Sequence, residues 1–153
     1  MNDAFKYVKA EGGLCTAKSY PYKGKVGKTC KYLTCGDKYY PISQFQNVKT
    51  QNEMELVKAV ADGPVSIAVE ADQSAFQFYG GGILDGLCGT KLDHGVLLVG
   101  YGSLHDDDFW KIKNSWGPHW GEDGYLKVCR NCHKNGKMGE CGVLRSPSYP
   151  IPK

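Results

Sequence analysis

Leu92-Asp93-His94-Gly95-Val96-Leu97-Leu98-Val99-Gly100-Tyr101-Gly102 and, a hairpin's length further on, Trp110-Lys111-Ile112-Lys113-Asn114-Ser115-Trp116-Gly117 decide how this chain is read. In the first, a polar tetrad leads into Val96–Val99, the most apolar run of the chain. In the second, the run from Phe109 to Lys113 ends at Asn114. Short runs rich in β-branched and aromatic residues, bounded by Gly and Asp, read as strands. His94 and Asn114 therefore stand at strand ends, where polar groups commonly gather. An imidazole placed there can take a proton from a thiol, and a side-chain amide on a neighbouring strand end can hold the ring in one orientation. On spacing alone, a hydrogen-bonded structural histidine is the commoner case.

Outward from this pair, Val65-Ser66-Ile67-Ala68-Val69 and Gly124 to Val128 read as further strands, so most of the C-terminal two thirds is expected to be antiparallel sheet. Two helices are expected before it. Ala4, Phe5, Tyr7 and Val8 have helical spacing within Asn2 to Glu11, with a cap at Asn2 or Asp3 and a stop at Gly12-Gly13. Thr50-Gln51-Asn52-Glu53 matches a capping box that opens a helix from Thr50 to Asp62, with Met54, Val57, Val60 and Ala61 on one face and Gly63-Pro64 as terminator. Between them, residues 14–40 are rich in Gly, Lys, Tyr and Cys without a period, a looped and disulfide-fastened region. Helix first and sheet later argues for the α+β class.

The 153 residues suffice for one ordinary domain or two small lobes. With 41% hydrophobic and 23% charged residues, the composition fills a core and is not that of a disordered chain. No apolar run approaches the roughly 18 residues of a membrane span, and no membrane partner is expected. A formal charge of +3, with Lys and Arg scattered among acids, marks no nucleic-acid surface. Seven cysteines point to an oxidising compartment, yet their number is odd and the first 15 residues carry no secretory signal. A chain that lacks its natural N-terminal part is the simplest expectation from the two together.

The two opening stretches, together with Trp120-Gly121 and Gly124-Tyr125, resemble the papain and cathepsin L family of cysteine proteases. Ala4-Phe5 with Gly12-Gly13, Ser19-Tyr20-Pro21-Tyr22, Gly63-Pro64-Val65-Ser66, Gly81-Gly82-Ile83, Cys141-Gly142 and Ser148-Tyr149-Pro150 follow in the family's order, so the likeness covers essentially the whole chain. It implies a papain-like α+β fold: residues 1–40 as the remainder of the helical L domain, 41–146 as an antiparallel, barrel-like R domain, and 147–153 as a tail returning to the L domain. It also implies cysteine endopeptidase chemistry, in which a thiolate attacks the peptide carbonyl and water releases the acyl-enzyme. His94 would be the base and acid, Asn114 its orienter, Trp116 a cover over their hydrogen bond, and Trp120 a wall on the leaving-group side. Asp93 and Gly95, which flank the histidine, would take part in substrate binding with Trp116 and Trp120. Ala68, Leu92 and Ser146 would surround the pocket for the residue two positions before the cut, favouring Leu, Phe or Val there.

In that family the nucleophile precedes the histidine by roughly 130–150 residues. Only 93 residues precede His94, and none of the cysteines stands in the family's Gln-Gly-x-Cys-Gly-x-Cys-Trp setting. The nucleophile is therefore expected outside this chain, which alone should be inactive. The resemblance pairs Cys88 with Cys141 and leaves Cys30 for a partner upstream of Met1; Cys15 with Cys35 and Cys129 with Cys132 are weaker pairings. Cys129-Arg130-Asn131-Cys132-His133 has the spacing of a c-type haem attachment, and Cys129, Cys132, His133 and Cys141 have zinc-ligand types. A disulfide-pinned surface insertion carries more weight, and neither metal nor cofactor is expected. Asp106-Asp107-Asp108 reads as a solvated hairpin tip, and His105, His119 and His133 as surface residues. The partners implied are peptide or protein substrates and cystatin-like or propeptide inhibitors, for a monomer in a lysosomal, vacuolar or extracellular setting. A noncatalytic binding protein on the same scaffold is the alternative.

Overall fold

The computed structural model describes residues 1–36, 39–86, 88–132 and 135–153, and the chain divides into two compact units, residues 1–46 with 150–153 and residues 47–149. His133 lies outside the described residues, and with it the haem and zinc readings that used it.

In the smaller unit, helix α1 spans Asn2–Glu11 and ends where Gly12 turns left-handed (φ 77°), its N–H reaching Lys9 O while Gly13 N–H reaches Val8 O. Glycine takes this conformation without a Cβ penalty, which is why the helix stops there. No side chain caps its start, since Met1 rather than Asn2 or Asp3 holds the N-cap position. Phe5 stacks on Phe45 of strand β1, Ile42–Asn47, with centroids 5.7 Å apart. The looped segment is fastened by the Cys15–Cys35 disulfide and by paired backbone bonds between Leu14 and Tyr39, each 2.9 Å.

The larger unit carries helix α2 (Glu53–Asp62), strand β2 (Val65–Val69), the short helix α3 (Ser74–Gln77) and strands β3 (Ile83–Leu84), β4 (His94–Leu104), β5 (Asp107–Lys113), β6 (Tyr125–Cys129) and β7 (Ser148–Pro152), the last running on into the smaller unit, where β1 is its neighbour. The strand order here is β7-β2-β4-β5-β6-β3. Registers Val65↔Leu98, Ile67↔Val96, Leu98↔Ile112, Ile112↔Leu126 and Trp110↔Val128 set buried apolar residues side by side on one face. That is the period-2 pattern of a half-buried sheet. The class is α+β, as expected, but the sheet is mixed rather than wholly antiparallel. β3 joins β6 in parallel, the chain reaching β6 only after it has passed through β4 and β5. Among the described strands the ends of the order do not pair, so the sheet is open where a barrel-like closure was expected.

Helix α2 starts three residues later than Thr50. Asn52 is the cap: its Oδ1 accepts from Glu55 N–H at 3.1 Å, satisfying a donor that the helix itself leaves free. Leu56 and Val60, one turn apart, are the buried pair, whereas Met54 is exposed, so the inward face is rotated from the expected one.

Candidate active site

β2 and β4 run antiparallel with Val69 opposite His94, and β5 ends at Lys113, opposite Leu97. The last residue of one strand run and the first of its neighbour thus lie at the same sheet edge. His94 opens β4 and Asn114 follows β5, where its N–H is anchored to Gly124 O at 2.9 Å.

Across this edge His94 Nε2 stands 2.8 Å from Asn114 Oδ1, and Ser115 N–H donates to the same oxygen at 2.8 Å. A backbone N–H only donates, so the atom facing it is the amide oxygen, and Nε2 of the neutral ring must then carry the proton given to Asn114. Nδ1 is left as the nitrogen able to exchange a proton with a third group. Asn114 is 7% exposed, which keeps water from competing for the bond, while His94 is half-buried.

An aromatic cluster adjoins the imidazole. The Trp116 ring centroid lies 5.1 Å from that of His94, and Trp120 lies 5.2 Å from Trp116 in an edge contact. Trp120 is fixed by donating Nε1–H to Gln77 O at 2.9 Å. Phe76, fully buried at the centre of α3, touches all three: its centroid is 6.4 Å from His94, 5.6 Å from Trp116 and 5.5 Å from Trp120. Sequence reasoning missed Phe76. Its signal is the aromatic-rich run Phe76-Gln77-Phe78-Tyr79, which no regular period supports.

The remaining candidates spread along the edge. Ala68 and Gly95 face each other in the β2–β4 register, and the single β2–β7 pair, Ser66↔Ser148, extended by two residues carries Ser146 toward the level of Ala68. Ser146 is exposed and lies before β7 begins. Leu92 sits against Gly142, where an added Cβ would come within 2.7 Å of Leu92 Cδ2. Asp93 is exposed but is not a free acid: its Oδ1 accepts from Ala71 N–H at 2.8 Å, and its own N–H reaches Val69 O at 3.1 Å, so it ties the turn that delivers His94. Cys88 and Cys141 are joined and buried, which removes Cys141 from the zinc set. Cys129 is joined to Cys132. Asp106 and His105 form the two-residue tip of the β4–β5 hairpin, both left-handed (φ 70° and 49°), as such tips require. His119, like His105, is exposed.

Residues 1–151 match the model of the family described as papain family cysteine protease. Among curated relatives, the chain is 48% identical over 151 residues to cysteine proteinase RD21A of Arabidopsis thaliana, covering 99% of this chain and 32% of that protein. It is 46% identical over 152 residues to vignain of Phaseolus vulgaris, covering 99% of this chain and 41% of that one. The chain thus spans less than half the length of these relatives. Among solved structures, the bromelain protease from Ananas comosus in complex with the E64 inhibitor superposes with a TM-score of 0.92 at 34% identity, over 99% of this chain and 69% of that one. The proform of Amb a 11, a ragweed pollen allergen and cysteine protease, does so with a TM-score of 0.92 at 42% identity, over 100% of this chain and 46% of that one.

Proposed function

Because the chain belongs to the papain family of cysteine proteases, we propose that it supplies the histidine and asparagine of a thiolate endopeptidase whose nucleophilic cysteine lies outside these residues. The observation that carries the reading is the 2.8 Å bond between His94 Nε2 and Asn114 Oδ1, with the amide pinned by Ser115. It leaves Nδ1 to take the thiol proton and later to return it to the leaving amine, while Asn114 keeps the ring from rotating. Trp116, 42% exposed yet against the imidazole, shields that bond from solvent on one side.

Six of the seven cysteines are tied in disulfides and hold no thiolate, which leaves Cys30 as the free thiol. Cys30 has none of the sequence context of the family's nucleophile, so we assign the attacking sulfur elsewhere and expect this chain alone to be inactive. Residues 1–40 are then the remainder of the helical lobe, 41–146 the lobe that carries His94 and Asn114, and 147–153 the returning tail. Walls that are small at Ala68 and Ser146 and apolar at Leu92 fit a preference for Leu, Phe or Val two positions before the cut. Peptides and proteins are the substrates of this reading, and cystatin-like proteins or a propeptide its inhibitors. The three disulfides suit a lysosomal, vacuolar or extracellular setting.

Hydrolysis of a fluorogenic Phe-Arg peptide, with and without a thiol-directed epoxide, tests the reading. The comparison is between this chain and one extended upstream by about 60 coded residues, which places His94 roughly 150 residues from the new start. Epoxide-sensitive activity in the extended form alone, abolished by His94→Ala, is the expected result. Such activity in the present chain would overturn the assignment of the nucleophile, and silence from both would favour a noncatalytic homologue.

A further inference from the structure

The parallel register of β3 and β6 pairs Ile83 with Lys127 and Leu84 with Val128. One step further along both strands stand Asp85 and Cys129, side by side. Asn131 then takes a left-handed conformation (φ 64°) and turns the chain so that Cys132 comes back onto Cys129. A carboxylate oxygen of Asp85 and the sulfurs of Cys129 and Cys132 all lie within 4.8 Å of one another. Two sulfurs and one hard oxygen are a donor set that zinc and cadmium accept.

The turn is held by more than the disulfide. Arg130 N–H donates to Asp108 O at 2.9 Å, Asn131 N–H to Glu53 Oε1 at 2.9 Å, and the Asn131 side chain to Asp108 Oδ2, while the Arg130 guanidinium pairs with Asp108 at 3.0 Å. Breaking the sulfur–sulfur bond therefore leaves both sulfurs close to where they were. Cys129 is 6% exposed, but its partner Cys132 and Asp85 are half-buried and give a reductant and an ion a way in, whereas Cys88 and Cys141 are buried at both ends of their bridge, 5% and 0% exposed.

We propose that Asp85, Cys129 and Cys132 form a redox-gated site for a thiolate-preferring divalent cation, closed while the Cys129–Cys132 disulfide is intact and opened by its reduction. With a phosphine as reductant, the disulfide takes two electrons from phosphorus. Water gives its oxygen to the phosphine oxide and one proton to each sulfur. The cation then displaces both thiol protons into solvent and binds two thiolates and the Asp85 carboxylate, with solvent completing its shell. The cation would hold Cys132 to Cys129 as the disulfide does, and through Asp85 would also tie the end of β6 to the residue that follows β3. This inference is independent of the proposed peptidase function and uses none of its residues.

Cadmium, whose thiolate complexes absorb in the near ultraviolet, is the probe. With Cys30 alkylated beforehand, the full chain is treated with limiting phosphine until alkylation mapping of a parallel aliquot finds free thiols at 129 and 132 but not at 15, 35, 88 and 141, and cadmium is titrated in. One equivalent bound with a thiolate charge-transfer band is expected only after reduction. Asp85→Asn, which keeps the shape of the side chain and the disulfide, should weaken binding by at least the 10–100-fold typical of damage to a metal's ligand environment. Cys132→Ser should abolish the band. A reduced chain with no band overturns the site, as does a band that survives Cys132→Ser. Affinity unchanged in Asp85→Asn overturns the assignment of the third ligand.

Discussion

Asn114 works through a single atom. Its Oδ1 accepts from His94 and from Ser115, and the second bond identifies the first as a donation from Nε2. Asn114→Ala removes the acceptor of both bonds and should cost about 1–3 kcal/mol of stability, and it should also free the ring to change tautomer. Nitrogen-resolved NMR of the imidazole, at a pH where it is neutral, is expected to find the proton on Nε2 in the parent chain and shared between both nitrogens in the variant. A parent ring protonated mainly on Nδ1 would contradict the geometry, because Nε2 would then have no proton to donate to Asn114 Oδ1. The sequence singles out His94 and Asn114 because each sits in a polar motif at the end of an apolar run. It does not single out Phe76, whose contact with His94, Trp116 and Trp120 arises only when a four-residue helix packs beneath the sheet edge.

At the scale of elements, the turn between β5 and β6 joins β3 to the sheet through Glu122. Its Oε1 accepts from Gly82 N–H at 3.1 Å, and its Oε2 pairs with Lys127 Nζ on β6 at 2.5 Å. The hydrogen bond from Lys127 is the largest influence on the Glu122 carboxyl and holds it below its ordinary value of 4.5; partial burial opposes this, and the Gly82 N–H adds to it. A carboxyl whose folded value is depressed stabilises the fold above its unfolded value, and that stabilisation is lost as the pH falls through the folded one. Glu122→Gln should therefore lower the urea midpoint near neutral pH, with the gap to the parent closing as the pH drops below 4.5. A gap of constant size down to about pH 3 would mean that the charge is not what matters. The elements themselves were unevenly legible. β2, β4, β5 and β6 announce themselves by β-branched and aromatic runs, and α1 by its glycine stop. β7 hides because Pro150 and Pro152 remove ladder donors. β1 hides because Ser43, Gln44, Gln46 and Asn47 make it polar. β3, two residues long, offers no period at all, and with it the parallel pairing escapes the sequence.

For the whole molecule, covalent closure is the sharpest constraint. Cys15–Cys35, Cys88–Cys141 and Cys129–Cys132 account for six cysteines, and Cys30 is free and exposed. Loop-closure entropy assigns about 4 kcal/mol to Cys88–Cys141, whose partners are far apart in the chain, and about 2 kcal/mol to Cys129–Cys132, which closes a tight ring. The first holds the core together, while the second is cheaply given up. Maleimide added without reductant should label the native chain once, in the tryptic peptide that contains Cys30. Urea without reductant should leave the count at one, because unfolding alone breaks no disulfide. Three labels in urea would mean that one bridge never forms, and the two newly labelled peptides would say which. An extended chain that restores the family's nucleophile and a partner for Cys30 should also label once, but at a different cysteine, with Cys30 protected. If Cys30 stays reactive there, its pairing with an upstream cysteine is wrong, and the free thiol of this chain is a property of its own sequence.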